Sequence, residues 1–307
     1  MRSNSLGRRL MPYAYLSPAL ISITALSILP MLFTIYLAFT DADLYTFRTG
    51  IQVVGFDNFR EILGGTFAKV FFPVLGWTLA YAALSTMTQY AMGMFMAVLL
   101  NNPNLKETRL YRALLVIPWA IPGSVAALAW QGLFHTSSGA INKWLTFLFG
   151  IDPIPWFQDP NLAKVAVLIV NLWLGFPFMM TVSLGALQAI PHDLYEAAEI
   201  DGANVWRKFW NVTFPMMLRF SLPLMIGSFA FNFNNFNTAL LMLNGGPNRV
   251  GPFAAGYTDI LASVGYKLTV SLNRYGLSAA LSLILFFLVA AVSLLNMRMT
   301  GAYKEED

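Results

Sequence analysis

The sequence predicts an all-α polytopic membrane protein with about six transmembrane helices, and three observations carry that reading. Of 307 residues, 57% are apolar and 15% aromatic while 11% are charged, a balance that would leave a water-soluble fold of this size with apolar surface it could not bury. Apolar runs long enough to cross about 30 Å of hydrocarbon recur along the whole chain. Lys and Arg gather at the ends of these runs and form no patch interleaved with aromatics, which sets nucleic-acid binding aside. The chain has no cysteine, so disulfides and cysteine metal sites are excluded.

The first span covers residues 13–39 and follows Arg2, Arg8 and Arg9. A cleavable signal has an apolar region of about 7 to 15 residues; this run is longer and contains Pro30, so it reads as a retained helix. Further spans are expected at 70–100, 114–134, 165–189, 221–243 and 275–297. Alternating the loops from a cytoplasmic N-terminus places eleven of the 19 basic residues inside and eight outside, the bias expected of that orientation. Both termini are then cytoplasmic, with outer loops at 40–69, 135–164 and 244–274. No internal repeat stands out, and residues 1–307 read as a single transmembrane domain.

The spans contain no Asp, Glu or His, the groups that a proton- or sodium-coupled carrier keeps at membrane depth. His135 and His192 fall in loops, without a spacing that suggests metal ligation. No G-x-x-x-x-G-K-[ST] phosphate loop is present. If transport is driven by a nucleotide, another chain binds it.

Residues 193–210 form the most informative loop. Asp193 followed by Glu196 has the form of a capping box, which predicts a short helix ending near Gly202. A second amphipathic turn carrying Val205, Trp206 and Phe209 is expected before Pro215. From the residues alone, an interfacial helix pair lying in the headgroups is equally open. Glu196-Ala197-Ala198, Asp201-Gly202-Ala203 and Phe214-Pro215, however, resemble the EAA loop of permease subunits of binding-protein-dependent ABC importers. The resemblance implies that 191–215 is a coupling loop whose helix docks in a cleft of an ATPase subunit. Glu196 would meet a basic residue there, Ala197 and Ala198 would allow close approach, and Asp201 and Gly202 would form the turn.

The fifth span places four asparagines within six residues, at 232, 234, 235 and 237. An amide in hydrocarbon costs several kcal/mol unless its donors and acceptor are met. Ser228, Asn232 and Asn235 fall at i, i+4 and i+7 on one helical stripe beside Phe231, an arrangement of hydroxyl, amide and ring that suits a neutral sugar. Glue between helices is the open alternative. In the fourth span Gly175 and Pro177 predict a broken helix lining a cavity, with a simple proline kink as the alternative.

From about residue 100 onward the chain resembles MalF-type permeases, the larger permease subunits of bacterial maltose and maltodextrin importers. The similarity is densest at 171–180, 185–215 and 228–259, including Leu243-Asn-Gly-Gly-Pro247 and Gly256-Tyr-Thr-Asp259. It implies a type I ABC importer permease fold, with sugar contacts on Asn171, Leu174, Gly175, Ser228, Phe231, Asn232 and Asn235. Phe178 belongs to the same set, although the family's best-known member has a tyrosine there.

The resemblance further implies a non-catalytic transport subunit for oligosaccharides, maltose or maltodextrin above all, in the bacterial cytoplasmic (inner) membrane. Its partners would be a second, MalG-like permease, a dimer of ATPase subunits and a periplasmic or lipid-anchored sugar-binding protein. ATP and Mg would be held by the ATPases, leaving this chain with no cofactor. Alternatives are an importer of another sugar or of glycerol phosphate, the latter calling for a basic group in the cavity. A polytopic membrane enzyme would need a nucleophile, carboxylate pair or metal cluster, and none is assembled.

Overall fold

The structure, a computed structural model, describes residues 5–102, 104–249, 251, 253 and 255–299. Among them the conformation is helical, and the β pairing consists of isolated bridges between Thr40 and Val53 and between Asn248 and Gly256. The chain divides into two compact units, residues 1–68 with 268–284 and residues 69–267 with 285–307.

In the smaller unit, α1 (Ser5–Ile23) passes through a widened turn at Thr24–Ile28 into α2 (Leu29–Ala38). The widened turn ends just before Leu29 and Pro30, where the proline ring and its missing N–H disturb the regular helical ladder. The first expected span is thus helical, and its apolar part, Tyr15–Ala38, has a mean hydropathy of 2.1 and is largely exposed, with Ala38 buried at its end. The following loop carries α3 (Thr46–Thr49) and α4 (Asp57–Gly64). Asn58 Nδ2 donates to Ala38 O at 3.0 Å and Thr40 O at 2.8 Å, tying the loop to the helix end. Asp43 accepts from Thr46 N and Tyr45 N, which, with the Thr46 backbone bond as the main cause, lowers its pKa from the ordinary value.

The larger unit is organised by α5 (Ala68–Leu100) and α9 (Pro160–Gln188). Gly93 lets the two backbones meet: a Cβ there would lie 2.5 Å from Met180 N, the kind of small-residue contact that brings helices together in lipid. Below it, Ala97, Leu100, Met180 and Leu184 form one buried cluster; above it, Trp77, Tyr81, Val167, Ala239 and Ile260 form another. α9 carries Pro177 within a continuous helix of 29 residues. The break expected at Gly175 and Pro177 is absent: Phe176, Pro177, Met179 and Met180 are buried, and packing on this stretch holds the helix continuous.

The break lies elsewhere. The expected third span is two helices, α6 (Thr108–Ala120) and α7 (Gly123–Leu133), bent by 91°. Ile121, directly before Pro122, is extended at φ −80 and ψ 132, the conformation that a following proline favours. The described residues therefore hold five helices able to cross a membrane, or six with this bent pair. α8 (Ala140–Phe149) follows, seated by buried Asn142, which bonds Thr136 O, Ile154 N and O, and Trp156 Nε1.

After α9 come α10 (His192–Ile200) and α11 (Val205–Lys208); a widened turn at Phe209–Thr213 then leads into α12 (Phe214–Asn234). The fifth span therefore begins well before residue 221. It is interrupted at extended Asn235 before α13 (Asn237–Leu243). α14 (Leu261–Val270) and α15 (Tyr275–Met299) complete the fold, the latter matching the expected sixth span.

Charge missing from the spans is buried beside them. Asp259 accepts from Gly256 N at 2.6 Å, Ser263 Oγ at 2.7 Å and Lys267 Nζ at 2.6 Å, and Lys267 also donates to Asn244 O at the end of α13. Both side chains are nearly inaccessible, at 0% and 6% exposure. Removing one partner of a buried pair leaves an uncompensated charge, which costs about 3–5 kcal/mol. Lys267→Met is expected to destabilise the chain by about that amount in thermal or denaturant unfolding. The double variant with Asp259→Asn should recover a large part of the loss; equal stability of wild type and Lys267→Met would refute the pair's role.

Candidate functional site

The two helix breaks face one cavity of about 560 Å³, within the roughly 300–1,000 Å³ of small-molecule sites. The α6–α7 break contributes Pro118, Trp119, Ile121 and Gly123; α12 and its frayed end contribute Leu224, Gly227, Ser228, Phe231, Asn232 and Asn235. α9 adds Asn171, Leu174, Gly175 and Phe178, and α5 adds Gln89. All eight residues expected to touch substrate thus line a single cavity. No lining residue is charged.

Their polar atoms are not equally available. Asn171 Nδ2 donates to Asn232 Oδ1 at 3.0 Å, and Asn232 Nδ2 faces Thr86 Oγ1 and Gln89 Oε1, both at 3.3 Å. Gln89 Nε2 in turn donates to Asn171 O at 2.9 Å. These groups are buried, with Asn232 at 1% exposure, so the network satisfies amides that hydrocarbon would leave unmet. Gly175 makes room for it: a Cβ there would lie 2.2 Å from Gln89 Nε2. Sequence reasoning missed Gln89 as well as the α6–α7 wall. A lone Gln within an apolar span, on the same helical face as Thr86, Tyr90 and Gly93, was the available signal for the first; the Pro118 and Pro122 pair was the signal for the second.

Asn235 is placed differently from Asn232. The helix ends at Asn234, so Asn235 leaves the predicted stripe and its Oδ1 accepts from Asn237 N at 3.3 Å. Asn234 turns to its own helix, donating to Ala230 O. Among the described residues, Ser228 Oγ, Asn235 Nδ2 and Trp119 Nε1 have no hydrogen-bond partner, which leaves them for a ligand.

The loop at the other end of α12 has the expected helix-turn-helix form, with one correction. α10 begins after Pro191 with no side-chain cap. Asp193 does not cap, because it lies inside the first turn instead of before it, and Glu196 instead pairs with His192 Nδ1 at 3.1 Å. The C-terminus is a Schellman turn: Ala203 N bonds Ala198 O, Gly202 N bonds Glu199 O, and Gly202 adopts φ +73, a conformation that glycine takes without strain. Asn204 then caps α11 by accepting from Arg207 N. Glu199 is paired with Lys208 at 2.6 Å, and that hydrogen bond lowers its carboxyl pKa from the ordinary value. The pair's contribution is present above the usual carboxylate range and lost as pH falls through the lowered value.

A groove of about 390 Å³ between α10 and α11 is lined by Ala197, Ala198 and Asp201 together with Arg207, Lys208 and Asn211. Glu196 and Gly202 are exposed beside it. Ile200, Val205 and Trp206 project an exposed apolar ridge, at 87%, 80% and 68% exposure.

Long apolar helices, a cavity at two helix breaks and an exposed helix-turn-helix define a membrane permease. The profile of the family described as "Binding-protein-dependent transport system inner membrane component" matches residues 89–301, and the chain belongs to that family. It is a permease subunit of an importer in the inner membrane, a transport subunit and not an enzyme. The galactooligosaccharides transport system permease GanP of Bacillus subtilis is 42% identical over 298 residues, covering 96% of this chain and 71% of GanP. The maltodextrin transport system permease MalC of Streptococcus pneumoniae is 39% identical, with 96% and 70% covered. The maltose/maltodextrin permease MalF of Klebsiella aerogenes is 42% identical over 252 residues, and the chain spans about half of it, 49%. In fold, the chain is similar to a subunit of a bacterial ABC transporter involved in import of the acidic polysaccharide alginate, with a TM-score of 0.78, 98% of both chains covered and 20% identity.

The amide network carries a prediction of its own. Asn232→Leu leaves Asn171 Nδ2 and Gln89 Oε1 unmatched, which costs about 1–3 kcal/mol. The variant is expected to lower the thermal midpoint of the purified permease complex. A variant with unchanged stability would show that the network supports nothing.

Proposed function

We propose that this chain is the permease subunit through which a neutral oligosaccharide, a maltodextrin or a related glucan or galactan, crosses the membrane at the cavity between α5, α6, α9 and α12. The observation that carries the reading is the lining itself: aromatic rings at Trp119, Phe178 and Phe231, free donors and acceptors at Ser228 and Asn235, and no charge. A pyranose has C–H faces that stack on rings and hydroxyls that both donate and accept. A phosphorylated or acidic sugar would need a cation, which argues against glycerol phosphate. The names of GanP, MalC and MalF add support for an oligosaccharide. Asn171, Asn232 and Gln89 shape the cavity in this reading, with Leu174 and Gly175 forming its floor.

The chain works with a second permease, a pair of ATPase subunits that hold ATP and Mg, and a sugar-binding protein on the outer side. α10 and the groove beside it form the ATPase contact, with Glu196, Ala197, Ala198, Asp201 and Gly202 at its centre. Both chain ends lie in the cytoplasm.

Two experiments test these assignments. Gly202→Asp forces a side chain into a left-handed position, and Glu196→Lys reverses a charge at the contact; each is expected to cut ATP-driven sugar uptake in proteoliposomes at least tenfold while the chain still inserts. Full transport by both would return α10 to a headgroup helix. Because the chain lacks cysteine, single cysteines report topology: those at Thr49 and Lys143 should react with an impermeant reagent from outside, and those at Asn102 and Glu199 only after permeabilisation. The opposite pattern overturns the orientation.

A further inference from the structure

We propose that Trp119 is a specificity-determining residue of the sugar cavity: its indole forms, with Phe178, a two-ring platform for one glycosyl unit and supplies the donor on that wall. The inference rests on the sugar-site reading above and adds a wall to it.

Three observations converge on this residue. Trp119 is in the last turn of α6, immediately before the 91° bend, so the chain turns away beyond it and leaves the ring uncovered, at 56% exposure. Its ring lies against Phe178, with centroids 5.9 Å apart and planes at 48°, which joins α6 to α9 in one aromatic surface. Trp119 Nε1 has no hydrogen-bond partner among the described residues and stays open to the cavity, while the indoles of Trp77 and Trp156 are bonded to Thr258 O and Asn142 Oδ1.

The rest of the lining makes that free N–H matter. Phe178 and Phe231 carry no polar atom, and the amides of Gln89, Asn171 and Asn232 are engaged with one another. Donors for sugar hydroxyls therefore come from Ser228 and Asn235 on α12 and from Trp119 on α6. A sugar held between α12 and the Trp119–Phe178 platform meets polar atoms on both sides. A longer sugar places one of its glycosyl units on the platform while the others lie against α12, a contact that a shorter sugar leaves unused, so the platform favours the longer ligand.

The test uses the assembled importer in proteoliposomes with its binding protein present at saturation, and measures uptake of maltose and maltotriose per ATP hydrolysed. Trp119→Ala is expected to lower maltotriose uptake about tenfold or more and to shift the maltotriose-to-maltose ratio toward maltose. Trp119→Phe keeps the ring and removes the N–H; it should lower uptake of both sugars about three- to tenfold with a smaller change in ratio. A general folding defect lowers both sugars alike and leaves uptake per ATP unchanged. If Trp119→Ala fails to assemble, Trp119→Phe decides. Wild-type uptake and ratio in the assembling variants would overturn the proposal. Ser228→Ala and Asn235→Ala run alongside: if they impair uptake while the Trp119 variants do not, the platform alone falls, and if all are silent the sugar-site reading falls with it.

Discussion

Hydrocarbon offers no hydrogen bonds, and the structure of the larger unit follows from how four polar side chains answer that constraint. Gln89, Asn171, Asn232 and Thr86 come from three helices, and each can be buried only because the others are there. The network fixes the rotation of α5, α9 and α12 about their axes, since turning any one of them would strand an amide. Gly93 and Gly175 are its steric conditions, one admitting the backbone of α9 and the other the end of Gln89. With the helices so rotated, Ser228 and Phe178 face the space that the bent pair α6 and α7 leaves open.

The spans and the helix-turn-helix of α10 and α11 were legible in the sequence because their signals are local. Hydropathy over some twenty residues needs no knowledge of neighbours, and the Asp201-Gly202-Ala203 turn ends α10 by backbone preference alone. Pro177 misled because a proline removes a hydrogen bond wherever it stands, while its effect on the helix depends on packing that the sequence does not display. Buried on α9, it is absorbed; Pro122, preceded by an extended Ile121, turns the chain. Asp193 misled for a smaller reason, a shift of two residues in where the helix starts. The stripe of Ser228, Asn232 and Asn235 placed its members around the cavity, but helical spacing could not say that Asn232 is consumed by two other helices.

The same contrast explains the charges. Counting along the chain found no carboxylate within a span and assigned residues 244–274 to an outer loop. Asp259 and Lys267 are nevertheless buried, because a loop folded against the ends of α5 and α13 can carry a charge inward if it brings the countercharge and the donors with it. Trp77 Nε1 donates to Thr258 O and Leu261 N donates to Thr78 Oγ1, which binds that loop to α5.

The path from α11 to α12 has a mechanical meaning. Its helix is continuous from Val205 to Asn234, and the rings of Trp206, Phe209, Trp210 and Phe214 pack against one another along the widened turn at Phe209–Thr213. At 1.5 Å per residue this is a strut roughly 45 Å long. A tilt of about 5° imposed at one end displaces the other by about 4 Å, more than the length of a hydrogen bond. A displacement at the Val205 end is therefore carried along the helix toward Ser228 and Asn232. Any such coupling is reciprocal by thermodynamic necessity, so whatever seats against the Ser228 end of the strut biases the position of its Val205 end by the same free energy.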